Sequence, residues 1–215
     1  MNKKVIGLVL SGMILLTGCS SNTTTSVSST TDEDEVILSD LYEDLSEDNN
    51  FELIKKDDLK TFIEHGTGIL YFSFPECPWC QAYALMLNDV LVENDATAYY
   101  YNIHTDKDED RDFYDEIVQL LIEHDYSNKE DLILYGNDGK GLIYMPLTLF
   151  IEDGEIKNWN GESNTNDSDE ISPEDYWTDE RIESLKQSLN DGVSVVKAAQ
   201  EANDSKGCDT GCKVG

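Results

Sequence analysis

Basic residues are scarce in this chain: 15 Lys and Arg stand against 45 Asp and Glu, a formal net charge of −30. Binding phosphate needs a clustered cationic face, so the composition excludes nucleic-acid partners. The charge favours solubility and repulsion from anionic surfaces, and among partners it would attract a basic peptide. Histidine is nearly missing too, with 3 copies. His65, His104 and His124 read as a helix end, a loop position and part of an apolar helix face, and no pair has metal-ligand spacing. The apolar stretch Val5 to Leu16 is too short to span a bilayer comfortably. No internal repeat marks a solenoid or propeller. Proline occurs 4 times, and each copy sits where chain direction changes: Pro75 after an apolar run, Pro78 between two cysteines, Pro146 before a strand and Pro173 at a helix start.

The remaining residues fall into blocks. Lys3 and Lys4 precede the apolar stretch, and Leu16-Thr17-Gly18-Cys19 closes it. This order resembles a bacterial lipoprotein signal, which implies cleavage after residue 18, lipidation of Cys19 and anchoring by acyl chains such as palmitate. The mature chain would keep 13 basic and all 45 acidic residues, a net of −32. Residues 19–50 read as a tether, Ser- and Thr-rich to Thr31 and acidic from Asp32 to Asn50. Within it Ile37, Leu38, Leu41, Tyr42 and Leu45 share one helical face, so a short docking helix and an unstructured connector both fit.

The chemistry-bearing stretch is Cys77-Pro78-Trp79-Cys80. The run Ile69 to Phe74 has strand composition and Pro75 stops it. From Cys77 to Asn88 no residue is charged, which predicts a largely buried helix with both thiols at its N-terminus. Free N–H groups and the positive dipole end there stabilise a thiolate, the reactive form of cysteine. Cys77 is then the exposed attacking sulfur, and Cys80, one turn on, resolves the mixed disulfide. The same spacing also serves half a zinc site or an inert disulfide.

Around it, Phe51 to Ile54 reads as a strand, and Asp57 or Asp58 as the cap of a helix carrying Leu59, Phe62 and Ile63. A strand at Ala98 to Ile103, a charged loop at Thr105 to Asp110 and a helix faced by Phe113, Ile117, Leu120, Leu121 and His124 follow. Tyr99, Tyr100 and Tyr101 read as strand packing. Gly136-Asn137-Asp138-Gly139 signals a turn, and Asp153-Gly154 joins two strands as a hairpin. Ser172-Pro173 opens a last amphipathic helix with Ile182, Leu185 and Leu189 inward. The order predicts an α/β three-layer sandwich, a central mixed sheet with helices on both faces, over residues 51–190. Residues 191–215 form a tail whose Cys208 and Cys212 are candidates for a second, local disulfide.

Cys77-Pro78-Trp79-Cys80, Met145-Pro146 before a strand, and the Asp153-Gly154 hairpin resemble the thioredoxin superfamily. Asn137 to Lys140, Ile143 to Pro146 and Phe150 to Ile156 are similar to bacteriocin transport accessory proteins of Gram-positive bacteria. The resemblance implies a cis proline at Pro146 beside the sulfurs and an extended substrate held by the Met145 backbone, with Trp79 as a further contact. Three departures stand out: Tyr71 replaces the superfamily's buried acid, Glu76 its tryptophan before the first cysteine, and Ala98 to Ile103 has no counterpart of its lysine. They bear on rate and redox poise.

The sequence thus points to a lipid-anchored thiol–disulfide oxidoreductase on the outer face of the cell membrane. Cys77 and Cys80 would carry the reaction with no cofactor, on protein or peptide thiols and disulfides, with a membrane redox partner. The alternatives are a metal-binding module using Cys77, Cys80, Cys208 and Cys212, and a thioredoxin-like non-catalytic accessory subunit of a peptide secretion system.

Overall fold

A computed structural model describes residues 37–126, 132–162 and 171–208. Five strands form the central sheet in the order β1 (Phe51–Leu53), β3 (Ala98–Tyr101), β2 (Gly68–Phe72), β6 (Leu147–Glu152), β7 (Glu155–Asn160). The first three are mutually parallel, β6 pairs antiparallel with β2 and β7 antiparallel with β6, so the sheet is mixed. A separate two-stranded ribbon, β4 (Leu134–Tyr135) and β5 (Gly141–Leu142), turns at Gly136–Gly139.

Side chains alternate along each strand and divide the core in two. Ile69, Tyr71, Ala98, Tyr100 and Phe150 face helices α2 (Pro78–Glu93) and α6 (Asp179–Cys208). Leu70, Phe72, Leu147, Leu149 and Ile151 face helices α1 (Lys56–His65) and α4 (Arg111–His124). β2 is buried at every position, which is why its sequence reads as a continuous apolar run. The chain is therefore the expected thioredoxin-like α/β sandwich of three layers.

Several local expectations change. Asp57 and Asp58 lie in the first turn of α1, whose N-cap is Lys55 without a side-chain cap bond; their charge favours the helix dipole instead. The charged stretch expected as a loop is helix α3 (Ile103–Glu109), because the Asn102 side chain accepts from the N–H groups of His104 and Thr105. His104 is accordingly helical. Ser172-Pro173 opens only the single turn α5 (Pro173–Tyr176), and α6 starts afresh at Asp179.

The packed unit is longer at both ends than residues 51–190. α6 continues without a break and buries Val193, Val196 and Ala199. At the other end, within the expected tether, a turn of 3-10 helix at Leu38–Asp40 and the chain after it bury Leu38, Tyr42 and Leu45 against the α2 face. Ile37 and Leu41, placed on the same face by sequence, are exposed. A 3-10 turn followed by irregular chain does not keep α-helical spacing, so the apolar positions separate.

Candidate active site

β2 delivers the chain through Phe74 and Pro75 to Cys77, the N-cap residue of α2, and Pro78 occupies the first helical turn, where its missing N–H costs nothing. The Cys77 sulfur accepts from the Cys80 N–H at 3.3 Å. Its pKa falls from the ordinary thiol value to about 7, chiefly through a hydrogen bond from the Cys80 thiol and further through the N–H groups of Cys80 and Trp79, with burial opposing. Cys80 is fully buried, and burial followed by the neighbouring Cys77 thiolate pushes its pKa far up. One thiol of the pair is thus poised as a nucleophile and the other is held as a proton-bearing reserve.

Cys77 was expected to be exposed, and it is not: its relative exposure is 8%, against 0% for Cys80. It is reachable at its edge, while Phe74, Trp79 and the docked N-terminal segment belong to the same cluster. Trp79 is half-buried, its ring edge-on to Tyr176 of α5 at 5.2 Å, and Arg181 lies over the other ring of that pair at 4.0 Å. The short α5 therefore props Trp79 beside the dithiol.

The Met145–Pro146 peptide is cis. Leu147 stands opposite Phe72 in the β2–β6 register, so Met145-Pro146 and the approach to Cys77 leave the sheet at the same end. Met145 packs against both core clusters. The bond is cis, as the resemblance implies.

Tyr71, noted in the sequence as a departure, and residues that sequence reading did not single out line the buried side of the pair. Tyr71 is fully buried and donates its hydroxyl to the Cys80 carbonyl oxygen at 3.3 Å. Burial and the neighbouring Cys80 push its pKa well up, so it cannot replace a buried carboxylate as a base near neutrality. Tyr83 stacks on Tyr71 at 5.7 Å and shares a hydrogen bond with Thr148 at 3.0 Å. Ser73, also fully buried, shares a 2.6 Å hydrogen bond with the Tyr42 hydroxyl. The apolar-run signal that located β2 hides these hydroxyls, because tyrosine and serine there count only as strand residues.

The histidines take structural places. His65 ends α1, His104 stacks on Phe74 at 4.3 Å, and His124 shares a 2.7 Å hydrogen bond with the Gly154 carbonyl. Tyr100 packs in the core, and Tyr101 donates to Asp106 at 2.7 Å. Among the described residues no cluster of three or more His, Cys, Asp or Glu could hold a metal ion. Cys19, Cys212 and the side chain of Cys208 lie outside the described residues, as do the signal segment and most of the tether.

Fold and site together define an α/β sandwich with a dithiol at the start of a buried helix, one sulfur activated and one shielded. No family model and no curated protein matches the chain.

Proposed function

We propose that this protein is a thiol–disulfide oxidoreductase, anchored through Cys19 to the outer face of the cell membrane, that exchanges disulfides with proteins or peptides through Cys77 and Cys80. The observation that carries this reading is the asymmetry of the pair: a thiol brought to about 7 at a helix N-cap, in hydrogen-bond contact with a fully buried partner thiol. A thiolate attacks one sulfur of a substrate disulfide and expels the other as thiolate; the second cysteine then attacks the mixed disulfide and releases the reduced substrate. Run backwards, the same steps oxidise a dithiol. The cis proline and the half-buried Trp79 at the same end support an extended substrate chain. The resemblance to bacteriocin transport accessory proteins supports a peptide or small-protein substrate, and an anchored enzyme would exchange electrons with a membrane redox partner.

In cells, Cys80→Ser should accumulate mixed disulfides in the membrane fraction, Cys77→Ser should not, and Cys19→Ala should move the trapped species out of that fraction. Equal behaviour of the two serine variants contradicts the assignment of roles. Trapped species that stay with the membrane in Cys19→Ala contradict the anchor.

A further inference from the structure

The end of the sheet that leads to the dithiol also carries a carboxylate whose charge is only partly compensated. β7 leaves the sheet beside the Met145-Pro146 turn. Thr148 stands opposite Asn160, and a Cβ on Gly161 would lie 3.5 Å from the Pro146 carbonyl oxygen. The next residue is Glu162, and its backbone is fixed from behind. Asn160 Oδ1 accepts from the Glu162 N–H at 3.2 Å and from the Tyr83 hydroxyl of α2 at 3.0 Å, and Asn160 Nδ2 donates to Ser188 of α6 at 3.2 Å.

The Glu162 side chain meets the helices that frame the thiols. Its Oε1 accepts from the Tyr176 hydroxyl at 3.5 Å, and the Tyr176 ring stands edge-on to Trp79 at 5.2 Å. Glu162 is thus tied through the backbone to Pro146 and through Tyr176 to Trp79, the two proposed substrate contacts on either side of the dithiol.

The carboxylate is poorly served there. Burial is the largest influence on it and raises its pKa, so its charged form is short of water. A hydroxyl at 3.5 Å is a weak substitute, since such bonds to a carboxylate are strong at about 2.5–2.7 Å. Arg181 acts on it favourably, but that guanidinium lies over the Tyr176 ring at 4.0 Å and donates to the Tyr176 carbonyl at 3.2 Å. Among the described residues the ion pairs are all made by other carboxylates. A second carboxylate, Glu76, is exposed directly before Cys77. A half-desolvated carboxylate beside aromatic rings suits a cation brought by the substrate.

We propose that Glu162 is a specificity-determining residue of the disulfide exchange, selecting substrates that carry a lysine or arginine beside the attacked cysteine. The inference rests on the disulfide-exchange reading above and adds the class of substrate. The net charge of −30 draws any cationic peptide toward the protein, wherever its positive residue stands. That general attraction is screened over about 8 Å at physiological salt, whereas a partly buried pair is screened much less. Glu162 therefore makes the position of the cation matter.

The test uses the purified, reduced full-length protein and a set of oxidised peptides, each with one disulfide. One has lysine next to a cysteine, one has glutamate there, and one has glutamine there with the lysine moved to the far end. The first and third have the same net charge. A lysine beside a disulfide also eases departure of its thiolate, so each rate is divided by that of a small neutral thiol with the same peptide. At physiological salt the adjacent lysine should react about fivefold faster than the distant one, the upper end of what an exposed ion pair gives. In Glu162→Gln, whose amide still accepts from Tyr176, this ratio should fall to about one, and in Glu162→Lys the glutamate peptide should overtake the adjacent-lysine peptide. Ratios taken within one preparation cancel any loss of folded protein. Equal rates for adjacent and distant lysine in the wild type, or a ratio that survives both substitutions, overturn the role of Glu162. A wild-type protein that reduces none of the peptides overturns the disulfide-exchange reading itself.

Discussion

At the residue scale, two identical side chains three positions apart acquire opposite chemistry. A thiol with a pKa of about 7 is about half ionised at neutral pH, against about one part in a hundred for one near 9. The lower basicity costs intrinsic nucleophilicity, by somewhat less than tenfold for two units at a Brønsted slope near 0.45. Ionisation therefore wins by about fivefold, and the hydrogen bond from the Cys80 thiol, with the N–H groups of Cys80 and Trp79 at the helix start, makes Cys77 the faster thiol. Alkylation of the reduced protein at Cys77 is expected to rise with pH through a midpoint near 7, falling about tenfold per unit below 6, while Cys80 stays unlabelled below about pH 9. Mass spectrometry of timed samples checks this, and simultaneous labelling of both sulfurs would contradict the asymmetry. The Cys-x-x-Cys spacing made the pair legible in the sequence. Their buried neighbours were not: the Tyr42–Ser73 contact depends on a segment far off in sequence closing over β2, and the Tyr71–Cys80 contact on how α2 packs against that strand.

At the scale of elements, the alternation of apolar runs and amphipathic stretches was enough to place β2, α2, α4, β6 and β7. The Asp153-Gly154 turn has positive φ at both residues, 49° and 82°, as the sequence pair implies. What failed was local capping chemistry: α3 is hydrophilic and short, and its only strong signal is Asn102. The length of α6 was also hidden, because Gly192 breaks the helical pattern at the point where the helix crosses Phe150. A Cβ on Gly192 would approach the Phe150 ring to 2.3–2.5 Å, too close for real contacts. Alanine gains about 1 kcal/mol in helix propensity there, and overpacking costs about 1–3 kcal/mol. Crowding wins against a ring held in the sheet, so Gly192→Ala is expected to lower stability by about 1–2 kcal/mol in chemical denaturation. An unchanged or raised midpoint would show that α6 does not press on β6 as described.

At the scale of the whole molecule, the docked N-terminal segment couples two things that sequence kept apart. The stretch read as a tether belongs to the core cluster that encloses Cys80, and under the proposed anchoring it would also lead to the membrane. A net charge of −30 disfavours contact with anionic headgroups. The central claim is that the Cys77–Cys80 pair exchanges disulfides with a substrate. Its most direct test is to mix the purified reduced protein with an excess of an oxidised peptide carrying one disulfide, quench with acid and weigh both species. The expected result is one peptide disulfide reduced per protein, a Cys77–Cys80 link formed in step, and no reaction in the Cys77→Ser/Cys80→Ser variant. A peptide that stays oxidised beside a fully reduced protein, or a double variant as active as wild type, would contradict it.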